Sequence, residues 1–316
     1  MRKYQQLTLE NRYGISAYLK AGYKRSAIAR ELGVSPSTVK RELDRNSGLK
    51  GYSPKQAHEK SIYRRTNAKK HKTFTAEIQE LAEHYIGLDF SPEQTSGLLE
   101  KDHNISISHE RLYQHIWADK ATGGDLYTHL RHSAKKKKKR YGKKDNRGKI
   151  PDRISIEQRP DVVDKKQRIG DWEIDTIIGK NHKGALVTIV ERVSKFLLMD
   201  YVPYKRADLV TATVINLMKP YADKAFTITA DNGKEFAAHK TIAKELNLDV
   251  YFAHPYHSWE RGLNENTNGL IRQYFRKNQP FGDNVKKRVK FVMDRLNNRP
   301  RKTLNFYTPN QIFNDT

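Results

Sequence analysis

Cysteine is absent from all 316 residues, which excludes a disulfide framework, a thiolate nucleophile and a Cys-based zinc site. Long apolar runs are absent too. No stretch of 18 or more apolar residues occurs, and the opening MRKYQQLTLENRYG holds no apolar core of signal-peptide length. A membrane span and a secretory signal are therefore not expected, and a soluble, intracellular protein is. Acidic residues are in deficit: 36 Asp and Glu stand against 60 Lys and Arg, a net charge of +24. Such an excess points to a polyanionic partner, because neutralised phosphates release counterions and drive association.

The positive charge comes in blocks. Residues 1–72 carry 18 basic against 5 acidic side chains, residues 73–119 carry 2 against 9, residues 120–150 carry 12 against 2, and residues 151–316 carry 28 against 20. A uniformly basic protein would not alternate in sign. The blocks suggest five segments: a helical domain over 1–50, a basic arm over 51–72, a second helical module over 73–119, a Lys-rich linker over 120–150 and a larger domain over 151–316.

In the first segment Thr8 is placed to cap a helix running to Gly22. A second helix, Arg25 to Leu32, ends at Gly33, suited to the left-handed position after a helix. Ser35-Pro36 then supplies an N-cap followed by proline at the first helical position. Ile28, Leu32, Val34, Val39 and Leu43 fall at core-facing spacings, leaving a polar and basic outer face. Helix, glycine-containing turn and helix with such a face form a helix-turn-helix reader of double-stranded DNA. Ser37, Thr38 and Arg41 are placed to meet base edges, and Lys40 and Arg45 to hold phosphates. The alternative is a helical hairpin with a solvated charged face.

Residues 73–119 have the same outline, with helix starts at Ser91-Pro92 and Ser108. Their negative balance argues against a simple phosphate-binding surface, so the segment reads as an assembly element or as a reader using His109, Arg111 and Gln114. The run Lys135 to Lys139 reads as a solvated tether or a DNA-tracking hinge.

From Ile150 the pattern becomes strand-like. DWEIDTIIG, GALVTIVER and KFLLMDYVP are three β-rich runs, ADLVTATVINLMKPYA is an amphipathic helix, KAFTITAD a buried strand, KEFAAHKTIAKEL a helix and VYFAHPY a fifth strand before a long helix through LIRQYFRKN. The order βββαβαβα matches a ribonuclease-H-like mixed sheet. The expected fold class is thus α+β and multidomain, with N-terminal all-α helix-turn-helix modules followed by a ribonuclease-H-like mixed α/β catalytic domain. A basic helix, NVKKRVKFVMDRLNNRP, and TPNQIF close the chain.

Three acids stand out in this last domain. Asp175 lies inside an apolar strand, where an acid is costly unless paired or metal-bound; Asp171, at the strand's edge, reads as a solvated turn residue. Asp231 ends an apolar strand, the position at which open α/β sheets place their sites, although D-N-G is also a common turn string. Glu265 follows after 33 intervening residues. It shares a helix face with Asn268 and Arg272, whereas Glu260 points roughly 140° away. Oxygen donors suit hard cations, Mg²⁺ or Mn²⁺. Two such ions about 3.5–4 Å apart clamp the attacking and leaving oxygens of an in-line phosphoryl displacement. Asn232, Lys234, Asn264, Asn268 and Arg272 are expected to position the DNA backbone. His254 and His257 lack a suitably spaced third ligand for zinc and read as phosphate contacts or loop scaffold.

HPYHSWERGLNENTNGLIRQYF, TADNGKEF, GDWEIDTIIGK and SAIARELGVSPSTVKREL together resemble the bacterial DDE insertion-sequence transposases of the family numbered thirty, from about Tyr4 to Phe313. The resemblance implies a metal-binding triad of Asp175, Asp231 and Glu265 with two Mg²⁺ or Mn²⁺ ions. It implies recognition of terminal inverted repeats by the N-terminal helices, and generation of 3′-hydroxyls followed by strand transfer into target DNA. A homo-oligomer, at least a dimer, is expected, since two element ends meet one target, as is a cytoplasmic, nucleoid-associated location. The chain departs from the family at Gly170-Asp171-Trp172-Glu173-Ile174-Asp175, where G-H-W-E-G-D is usual. A catalytically inactive DNA-binding regulator and a structure-selective nuclease on the same core are the competing expectations.

Overall fold

The computed structural model describes residues 6–49, 51–67, 74–131, 150–255, 257–277 and 279–315, except for the side chains of Ser258 and Trp259. The Lys135 to Lys139 run lies outside the described residues. Contacts divide the chain into two compact units, Met1–Thr73 and Phe74–Thr316.

The first unit holds α1 (Leu9–Lys20), α2 (Arg25–Glu31), α3 (Pro36–Asn46) and α4 (Pro54–Thr66). Thr8 caps α1 through a reciprocal capping box with Asn11. Gly33 takes φ +64° after α2, a region open to glycine at no steric cost. The Ser35 hydroxyl accepts from the Thr38 amide at 3.2 Å to start α3, with Pro36 in its first turn. Ile15, Ile28, Ala29, Val39 and Leu43 form the core. Below it a buried ion pair, Arg12 Nε to Glu42 Oε1 at 2.7 Å, ties α1 to α3, and the Tyr52 hydroxyl donates to the same carboxylate at 3.1 Å.

The second unit begins with α5 (Ala76–Gly87), α6 (Pro92–His103) and α7 (His109–Ala121). Next come β1 (Ile154–Ser155), α8 (Asp161–Lys165), β2 (Asp171–Ile178), β3 (Ala185–Glu191), β4 (Leu197–Val202), α9 (Ala207–Met218), β5 (Thr227–Ala230), α10 (His239–Leu246), β6 (Asp249–Phe252), α11 (Gly262–Tyr274), α12 (Val285–Asn297) and α13 (Pro309–Asn314). The sheet order is β1-β6-β5-β2-β3-β4. β2, β3 and β4 are antiparallel neighbours, whereas β5 and β6 run parallel to β2. An antiparallel meander extended by two crossover strands is the ribonuclease-H-like arrangement, and with the N-terminal helices the chain is α+β and multidomain. The two-residue β1, parallel to β6, carries too short a pattern to be read from the sequence.

Each sheet face has its own core. Trp172, Ile174, Ile189, Val210, Ile228 and Phe252 lie on the side of α9 and α10. Ile177, Leu186, Val190, Ile271, Val289 and Val292 lie on the side of α11 and α12. The alternation of β2 therefore sends Glu173, Asp175 and Ile177 toward α11. The helices α5–α7 pack against the C-terminal region: the Gln94 amide donates to the Pro300 carbonyl at 2.7 Å and its oxygen accepts from Arg299 Nε at 2.9 Å. Tyr274 donates to Asp89 at 2.9 Å, and Lys302 pairs with Glu93 at 2.6 Å. Of the acids of 73–119, Glu93 is met here by a basic residue of the same unit.

Candidate active site

Asp175 lies at the middle of β2 and Asp231 immediately after β5, two strands that are neighbours in the sheet. Both carboxylates face one guanidinium: Arg261 Nη1 is 3.9 Å from Asp175 Oδ1 and Nη2 is 3.6 Å from Asp231 Oδ2. Arg261 also donates to the Ile174 carbonyl at 3.4 Å, while its Nε is buried without a hydrogen-bond partner among the described residues. The remaining oxygens are held in place. Asp175 Oδ2 accepts from the Asn268 amide at 2.7 Å and Oδ1 from the Thr176 amide at 2.8 Å. Asp231 Oδ1 accepts from the Gly233 amide at 2.8 Å. The Thr188 hydroxyl lies 3.2 Å from the Asp175 carbonyl and 3.4 Å from Asn268 Oδ1, so β3 braces the amide that braces the acid.

Burial pushes the Asp175 carboxyl up to about 6; Arg261 pulls it down and Asp231 raises it. A carboxylate in this setting is a poor resting anion and a good ligand for a cation stronger than one shared guanidinium. Glu265 lies in the first turn of α11, one turn before Asn268. It is exposed and makes no hydrogen bond or ion pair to a described residue. Among the described residues no group of three His, Asp or Glu side chains is close enough, as arranged, to hold a metal ion. The donor chemistry does fit a hard divalent cation: two carboxylates already share one positive charge, and a third, free carboxylate stands on the helix that touches the first.

The supporting residues differ in their placement. Asn268 is bound to Asp175, and Arg272 donates to the Ile178 carbonyl at 2.9 Å and the Phe275 carbonyl at 3.3 Å. Asn232 donates to the Ala253 carbonyl at 2.6 Å, and Lys234 is exposed. Asn264 corrects an expectation: it is 1 % exposed, so its side chain lies inside the protein and not on a DNA-facing surface. Helical periodicity explains the difference, because α11 turns Asn264 inward beside Glu173, which accepts its backbone amide at 3.3 Å. Asp171 is a second correction. It is 1 % exposed, bound by Arg168 at 3.0 Å and by the Thr227 hydroxyl at 2.8 Å, so it is a buried strut and no solvated turn. Glu260 accepts from the His254 ring and backbone, each at 2.8 Å, which scaffolds the loop before α11.

Sequence reasoning missed three neighbours of the site. Arg261 is one, although E-R-G-L-N-E places it one turn before Glu265. Glu235 is another; it is buried, accepts from the Thr176 hydroxyl at 2.9 Å and pairs with Lys205 at 2.6 Å. The third is the buried pair of Glu173 with Arg192 under the start of α11.

In the first unit Lys40, Arg41 and Arg45 are exposed along α3. The Ser37 and Thr38 hydroxyls lie 2.7 and 2.9 Å from the Ser35 hydroxyl, at the helix cap. Arg41 and Arg45 share a cleft with Arg64 and Arg65 of α4.

Residues 3–46 match a helix-turn-helix domain family. Over 98% of this chain and 95% of its own length, the transposase for insertion sequence element IS4351 of Bacteroides fragilis is 42% identical. Transposase InsI for insertion sequence element IS30A of Escherichia coli (strain K12) is 32% identical over 98% of this chain and 84% of its own length. Among solved structures, a catalytic core domain of BIV integrase matches with 21% identity and a TM-score of 0.38, covering 46% of this chain and 93% of that one.

Proposed function

The chain belongs to the insertion-sequence transposases of the IS30 type, and on that premise we propose that it binds the terminal inverted repeats of its element and performs metal-dependent 3′-end cleavage and strand transfer. The observation that carries this reading is the convergence of Asp175 and Asp231, from adjacent strands, on one shared cation. Asp175, Asp231 and Glu265 would hold two Mg²⁺ or Mn²⁺ ions. When bound, these supply Lewis-acid stabilisation of the attacking and leaving oxygens of a phosphodiester.

The chain's own residues prepare that chemistry. Asn268, fixed by Thr188, holds the Asp175 carboxylate in one orientation, and the Gly233 amide does the same for Asp231. Arg261 keeps the two like charges together. Glu265, bonded to no described residue at the start of α11, is available as the third ligand. In the first unit, α3 would enter the major groove with Ser37, Thr38 and Arg41 toward base edges. Lys40 and Arg45 would sit against phosphates. Joining two ends to one target calls for at least a dimer.

The test is cleavage of a labelled linear duplex bearing the element's own end, in Mg²⁺ or Mn²⁺, beside Asp231→Ala. Nicking at the end, reduced in the variant by at least about 10²–10³-fold with DNA binding retained, is expected. Tight binding by wild type without cutting in either metal would instead identify a DNA-binding regulator.

A further inference from the structure

A cleft opens along α11 on the side away from the carboxylates. Leu263, Asn266, Thr267 and Leu270 of α11 line it, whereas Asn268 on the other side reaches Asp175. Six charged side chains surround the space: Lys166, Arg192, Lys195 and Arg301 against Glu173 and Glu260. Both acids are already engaged, Glu173 by Arg192 and Glu260 by His254. Lys166, Lys195 and Arg301 are left without an ion pair to a described residue; Lys195 donates to the Arg192 carbonyl at 2.7 Å and Arg301 to the Leu296 carbonyl at 2.9 Å.

Holding these cations here is costly to the resting protein, mainly through their burial. Burial, and then the neighbouring Lys166, draw the Lys195 ammonium down to about 8. Burial, and then Arg299, draw the Arg301 guanidinium down to about 9. Backbone strain accompanies it: Lys166 has φ +51° and Lys195 φ +64°, the left-handed region in which asparagine or glycine is the easier residue. Two lysines held at left-handed positions, both lining one cleft already rich in positive charge, are poor choices for stability alone. Such outliers gather where a ligand is bound.

We propose that this cleft binds a backbone phosphate of the DNA being processed, so that the strand is gripped across α11 from the acids on its other side. The inference rests on the DNA-transposition reading above and adds to it a second grip on the strand.

Asparagine tests it cleanly, because it removes the charge at a position whose backbone it tolerates. Full-length wild type, Lys166→Asn, Lys195→Asn and the double variant would be titrated with a labelled element-end duplex across a salt series. The double variant is expected to flatten the slope of log affinity against log salt by about 0.9, the share of one phosphate, and each single change by part of that. Thermal midpoints should be unchanged or higher, so the loss is not a folding defect. Failure of wild type to bind the duplex would remove the functional reading itself. Binding with the same slope in all four proteins would overturn the phosphate cleft while leaving that reading intact. Inorganic phosphate would also be titrated into wild type and the double variant by calorimetry. Heat lost in the double variant, with DNA slopes unchanged, would overturn the DNA assignment in favour of a free phosphate.

Discussion

Asp175 is ionised only against resistance, and that has a sign. Its carboxyl titrates near 6 in the folded chain and near its ordinary 3.8 when unfolded. Between those values the folded state holds more protons, so this group's contribution to stability falls as pH rises from about 4 to 6 and stays low above. Asp175→Asn should therefore raise the melting temperature of the metal-free protein at pH 7.5, by a free energy of about 1–3 kcal/mol, while abolishing cleavage. Below pH 4 the difference should vanish. Melting curves of both proteins in chelator from pH 4 to 7.5 would measure it, and parallel curves would sink the account. Asp175 was legible because an acid interrupts an apolar alternation. Asp231 was legible because its strand ends in a turn string. Arg261 and Glu235 were not, since their roles exist only once β2, β5 and the start of α11 lie side by side. Asn264 shows the opposite failure: polarity suggested a surface, and only the rotation of α11 shows that it is buried.

At the scale of elements, local chemistry was readable and docking was not. Thr8, Ser35 and Ser91 start their helices through bonds spanning three residues, which a sequence displays directly. The seat of α6 against the C-terminal loop depends on residues some two hundred positions away. Gly97 marks that seat: a Cβ there would lie 2.2 Å from the Phe306 ring. Helix propensity alone favours Gly97→Ala by up to about 1 kcal/mol, but the overlap should reverse the sign, destabilising the protein by about 1–3 kcal/mol. Gly87→Ala in α5 meets nothing within 4 Å and should be neutral or stabilising by a few tenths of a kcal/mol to about 1 kcal/mol. Chemical denaturation of the two variants beside wild type gives both values. A Gly97→Ala protein as stable as Gly87→Ala would mean that α6 does not press on Phe306.

For the whole molecule, the charge blocks divided the sequence into five segments, whereas contacts divide it into two units. The acidic segment 73–119 carries its own small core of Phe74, Ala82, Leu99, Ile107 and Leu112, which is why it reads as independent. Yet Arg299 is only 3 % exposed and takes one of its partners, Gln94, from α6; Tyr274 of α11 takes Asp89. Removing α5–α7 would open these groups and part of the surface of α11, the helix that carries Glu265. A fragment spanning 74–316 should melt in one cooperative transition. A fragment spanning 150–316 should be less stable, with its midpoint lower by several degrees or its solubility lost. The comparison needs only two purified fragments and their melting curves. A 150–316 fragment as stable as the longer one would make 73–119 a separate module, and its acidic character would then need a partner outside this unit.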